Sequence, residues 1–108
     1  MDSSHMVKWT PEAERDVLTI VEWFDDPINA LKVLDQLEGK ANSLSRLPER
    51  GRVVPELRDI GILQFLEILH KPWRMVYAIR GRAVWIMAVL DGRRDLRDLL
   101  YGRLANND

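Results

Sequence analysis

Apolar residues fall at Ala13, Val17, Ile20, Val21 and Phe24, three and four positions apart, the spacing of one helical face. Thr10 precedes the run as a capping residue, and Pro11 sits in the first turn, where a missing N–H does no harm. Glu12 and Glu14 place negative charge at the positive end of that helix. Ala30, Val33, Leu34, Leu37, Ala41 and Leu44 repeat the pattern and predict a second helix over 28–47, ended by Pro48. Gly39 costs it roughly 1 kcal/mol against alanine, little beside the burial of the stripe. Asp25-Asp26-Pro27 is a short break, so the two helices should form an antiparallel pair.

The period then changes from 3.6 to 2. Over 73–79, Arg74, Val76 and Ala78 share one side and Trp73, Met75, Tyr77 and Ile79 the other. Positions 84–90 are apolar throughout, as in a strand covered on both faces. Residues 63–69 read as a further strand leading into the Lys71-Pro72 turn, and Arg80-Gly81-Arg82 as a tight turn. Val7-Lys8-Trp9 is a short first strand, 49–55 a loop with Val54 and Leu57 anchoring the return to the sheet. Residues 95–104 form a short last helix with Leu96, Leu99, Leu100 and Leu104 inward, and Asn106-Asn107-Asp108 a frayed tail. The order β-α-α-β-β-β-α gives an α+β fold, a helical hairpin packed on one face of a small, mainly antiparallel sheet.

Composition narrows the class. At 108 residues the chain holds one domain over 6–108, with residues 1–5 reading as an expression-tag remnant. No apolar run approaches the roughly 18 residues of a membrane span. Without cysteine there is no disulfide framework, and a reducing cytoplasm is the expected compartment. A net charge of −1 hides an asymmetry: 6–69 carries eight basic and twelve acidic residues, 70–104 eight basic and three acidic. A basic second half suits an anionic partner, or forms a solvated rim of arginines.

Candidate chemistry is sparse. His70 is the one histidine outside the remnant, and beside Lys71-Pro72 it reads as a turn residue rather than a general base. No residue spacing fits a metal site, and no glycine-rich loop fits a nucleotide cofactor, so none of either is expected. An arginine group remains. Arg74, standing among apolar neighbours on a sheet face, must be paired or half exposed. Arg93 and Arg94 follow the next strand, which brings the three toward one sheet edge. Such a group suits bidentate contact with phosphate or carboxylate. Alternatively, Arg93 and Arg94 pair with Asp91, Asp95 or Asp98. The four tryptophans read as packing residues, with stacking on a partner by Trp73 as the other reading.

Trp9-Thr10-x-Glu12-Ala13-x-x-Asp16-Val17, Leu47-Pro48-Glu49-x-Gly51-Arg52, Trp73-Arg74-x-Val76-Tyr77-x-Ile79, Val84-x-Ile86 and Val89-x-x-Gly92-Arg93-Arg94-Asp95 together resemble the RelE/ParE toxin superfamily. The likeness runs from Lys8 to about Leu104 and implies the toxin half of a bacterial type II toxin–antitoxin pair. ParE-like members act on DNA gyrase; RelE-like members cut messenger RNA on the ribosome. The RelE-like reading would carry catalysis to Arg74, Arg94 and Tyr101. The sequence departs from it at Leu66 and Ile68, where RelE-like enzymes have lysines. ParE-like toxins usually have an arginine before the glutamate, and Leu66 stands there instead. Leucine and isoleucine neither activate a 2′-hydroxyl nor neutralise phosphate charge. The resemblance therefore implies a ParE-like binder, with Arg74, Arg93, Arg94 and Trp73 as target contacts, or a member that binds only its antitoxin. It also implies a cognate antitoxin, for which Leu18, Trp23 and Leu31 are candidate contacts if they do not pack internally.

Overall fold

A computed structural model describes residues 4–93, 96, 97, 100, 102 and 103. Its elements run β1 (Met6–Trp9), α1 (Pro11–Glu22), α2 (Pro27–Ser43), β2 (Arg52–Val53), α3 (Pro55–Arg58), β3 (Phe65–His70), β4 (Trp73–Arg80) and β5 (Ala83–Asp91). Thr10 both ends the first strand and starts the first helix. Its backbone N–H donates to Ile86 O at 3.1 Å, and its hydroxyl oxygen accepts from Ala13 N at 3.1 Å. Asp26 does more than break the chain: its carboxylate accepts from Ile28 N at 3.0 Å, capping α2 with Pro27 in the first turn. The second helix stops at Ser43, short of the expected Leu47.

The sheet order is β1-β5-β4-β3-β2, with β1 parallel to β5 and every other pair antiparallel. Helices α1 and α2 cover one face: Ala13, Val17, Leu37, Ala41 and Leu44 meet Ile68, Met75, Tyr77, Val84, Ile86 and Val89. The segment expected to be a plain loop holds β2, and α3 follows it, because Arg52 and Val53 pair with Glu67 and Leu66. Val54 and Leu57 bury fully on the second face with Phe65, Val76, Ala78, Leu96 and Leu100. That second cover explains the unbroken apolar run of β5. Leu100 N donates to Leu96 O at 2.8 Å, the spacing of a helical turn; Leu99 and Leu104 lie outside the described residues.

Strand β5 carries a bulge. Val76 pairs with Ala88 and Tyr77 with Ile86, leaving Met87 without an opposite number. Met87 and Ala88 both join the second core, while Ile86 and Val89 face the helices. Beyond Trp9, β1 no longer covers the rim of β5, and Asp16 of α1 serves it instead. One Asp16 oxygen accepts from Val89 N at 2.9 Å and from Arg103 Nη1 at 2.6 Å. That carboxylate clasps helix, strand and C-terminal segment together.

Tyr77, fully buried, fixes the loop ahead of β2: its hydroxyl donates to Pro48 O at 2.6 Å and accepts from Gly51 N at 3.0 Å. Burial raises its pKa. A Cβ on Gly51 would lie 2.6 Å from both that hydroxyl and Glu67 O, so only glycine fits. Gly39 on α2 has open space around it. We therefore expect Gly39→Ala to stabilise by up to about 1 kcal/mol and Gly51→Ala to destabilise by about 2 kcal/mol or more. Urea unfolding of the two variants checks the opposite signs.

Candidate functional site

Arg74 and Glu67 share the sheet face opposite the helix pair. In register Glu67 faces Val76 and Arg52, and Leu69 faces Arg74, so the two charged residues lie diagonally across β3 and β4. Glu67 is 1% exposed and Arg74 7%, burial that neither charge tolerates alone. Arg74 Nε donates to Glu67 Oε1 at 2.7 Å. Its Nη1 and Nη2 form a fork on Glu56 of α3, at 2.7 and 2.5 Å. The other Glu67 oxygen accepts from Arg52 Nε at 2.7 Å, where the chain of charges reaches solvent. Two carboxylates and two guanidinium groups thus balance. Leu96 N also approaches Glu56 Oε2, at 3.5 Å, tying the C-terminal segment to the same carboxylate.

The Arg74 hydrogen bonds hold the Glu56 carboxyl down at about 2, and the two carboxylates push the Arg74 pKa up. Gly92 closes over the arginine stem: a Cβ there would lie 3.0 Å from Pro72 O and 3.1 Å from Arg74 Cγ. Arg52, Glu56, Leu69, Trp73, Arg74 and Arg93 line part of a cleft of about 430 Å³ above this network. Three of the four residues expected at the target contact, Trp73, Arg74 and Arg93, therefore meet there. Arg94 and Tyr101 lie outside the described residues.

The three differ in availability. Arg74 spends all its nitrogens on Glu56 and Glu67, so its charge works inside the fold. Arg93 is open to solvent, its side chain 84% exposed, and pairs with Asp91 at 3.1 Å as the pairing reading expected. Trp73 is half-buried, stacked on His70 with centroids 6.2 Å apart and tilted against Phe24 at 6.5 Å. His70 sits at the end of β3 with Nε2 3.0 Å from Gln36 Oε1. Leu66 and Ile68 pack with the helix-side core. Among the described residues no group of three or more His, Cys, Asp or Glu side chains gathers for a metal ion, and no helix is long and apolar enough to cross a membrane.

Leu18, Trp23 and Leu31 are exposed by 56%, 82% and 63%, so they pack outward rather than into the core. Leu18 lines a groove of about 330 Å³ on the helix pair with Trp9, Val17, Val21 and Leu34, and with Glu14 and Glu38.

Sequence reasoning missed Glu56, Glu67 and Arg52. One signal was present: Glu67 shares a strand face with Phe65 and Leu69, where a carboxylate needs a cation beside it.

Because the folded-state pKa of Glu56 is depressed, its contribution to stability is full above about 4.5 and is lost as pH falls toward about 2. Acid titration of folding should show this decline, and Glu56→Gln should flatten it over that window. Arg74→Met, which leaves Glu56 and one Glu67 oxygen without their guanidinium, should cost about 3–5 kcal/mol in chemical denaturation at neutral pH.

The comparisons agree with this architecture. A profile of the ParE toxin of the type II toxin–antitoxin system, parDE, matches residues 7–96. Toxin ParE3 of Caulobacter vibrioides is 36% identical over 72 residues, covering 63% of this chain and 68% of that protein. Among solved structures, one from the chromosomal ParDE toxin–antitoxin system of P. aeruginosa superposes with a TM-score of 0.67 at 18% identity, over 82% of this chain and 97% of the other. The RelBE2 toxin–antitoxin complex of Mycobacterium tuberculosis gives a TM-score of 0.61 at 22% identity, over 82% and 91%.

Proposed function

The chain belongs to the ParE toxin family of type II toxin–antitoxin systems, and from that membership we propose that it arrests growth by binding DNA gyrase in the cytoplasm, silenced by a cognate antitoxin. The observation that carries the reading is the fate of Arg74. RNA cleavage needs cationic groups at the scissile phosphate and a base for the 2′-hydroxyl. Here the buried guanidinium is consumed by Glu56 and Glu67. Leu66 and Ile68, which stand where the resemblance puts lysines in RelE-like enzymes, are packed with the core. What the cleft offers outward is a recognition surface: exposed Arg93, the Trp73 edge and the free side of Arg52. Arg74 holds that surface in shape from below.

Antitoxin binding falls to the other face. Both solved neighbours belong to toxin–antitoxin systems, which supports a partner on the exposed apolar groove of α1 and α2. Leu18 and Leu31 are its proposed anchors, and Trp23 beside the α1–α2 turn extends it.

Purified protein should inhibit gyrase supercoiling, and induced cells should filament with a DNA-damage response. The alternative, ribosome-dependent cleavage of messages through Arg74, Arg94 and Tyr101, predicts an immediate stop of translation and cuts at codon boundaries. Those cuts with supercoiling intact would overturn the gyrase reading. Arg93→Ala should lower toxicity several-fold at matched expression while leaving the melting temperature unchanged, since the side chain is exposed and its ion pair is worth little.

A further inference from the structure

The groove on the helix pair is apolar along most of its length and acidic at one end. In the antiparallel hairpin Glu14 lies one turn before Leu18 on α1, and Glu38 one turn after Leu34 on α2, so the two carboxylates close the same end of the groove. Trp9 lies with them in the lining. From that end toward the α1–α2 turn the lining becomes Leu18 and Leu34, then Val21, with exposed Leu31 on the adjoining turn of α2. The surrounding layer has the same sign. Residues 11–43 hold eight acidic side chains against three basic ones, a net of −5 on a chain whose total is −1. Two exposed carboxylates at one end of an apolar floor offer a receptor for a cation.

We infer that this groove selects its antitoxin by charge and direction: the docking segment carries a lysine or arginine at one end, seated between Glu14 and Glu38, followed by apolar side chains that run toward the α1–α2 turn. The inference rests on the reading of the groove as the antitoxin seat and adds the chemistry that segment must have. Glu14 to Val21 spans about 10 Å of helix axis. The segment therefore needs its cation and its apolar anchors within about three residues if extended, or about two turns if helical. Apolar contact supplies the hold, and the carboxylate pair sets register and rejects segments that present an acid at that end.

The test uses the full chain and the antitoxin encoded by the adjacent gene. Binding is measured by titration calorimetry at low and high salt for the parent, the Glu14→Gln/Glu38→Gln double variant and Leu18→Asp. All three positions are exposed, so folding should be preserved, and melting curves verify it. We expect the double glutamine variant to lose about tenfold in affinity at low salt and to bind with a much flatter salt dependence. Leu18→Asp should abolish binding. If Leu18→Asp abolishes binding while the double variant matches the parent in affinity and salt response, the groove remains the seat and charge selection is overturned. If Leu18→Asp binds as the parent does, the groove is not the seat, and the inference falls with it.

Discussion

A guanidinium group buried on a sheet face is the constraint around which this molecule is arranged. Arg74 is admitted there because Glu67 meets its Nε and Glu56 takes its two terminal nitrogens. Each partner comes from a different element, β3 and α3, so burying one charge fixes the placement of three segments. Glu56 also meets the C-terminal segment at Leu96, and Gly92 must stay small to let the arginine stem pass. Two carboxylates and two guanidinium groups close the account electrostatically, which is what permits such burial.

Several other polar residues of the chain are scaffold. Tyr77 and Gly51 are bound to one another through the tyrosine hydroxyl, and the loop they fix delivers Arg52 to Glu67. Thr10 joins strand to helix, and Asp16 clasps α1 to the open rim of β5 and to Arg103. These residues hold the fold together; they do not by themselves specify a reaction. The ParE toxin fold is retained here, with Leu66 and Ile68 of β3 packed with the helix-side core.

The two faces of the molecule consequently offer different surfaces. The cleft above the Arg74 network presents arginine and tryptophan edges over a neutralised base. The helix pair presents exposed leucines beside carboxylates. One small domain thus carries two clefts of separate chemistry.

Local periodicity determined the helix pair, the alternation of β4 and the doubly covered β5, because those signals are carried by residues two to four positions apart. It also showed that Arg74 had to be paired or half exposed. Which partner was beyond it, since Glu67 is seven residues away across a hairpin and Glu56 eighteen away on a four-residue helix too short to show a period. The bulge at Met87 was hidden for a related reason: when every side chain in a strand is apolar, a slip of one residue leaves no trace in the pattern. The parallel pairing of β1 with β5, and the outward turn of Leu18, Trp23 and Leu31, were likewise settled only when the two cores formed and left those side chains outside. Sequence fixes what each segment prefers locally; packing decides which charges and apolar faces meet.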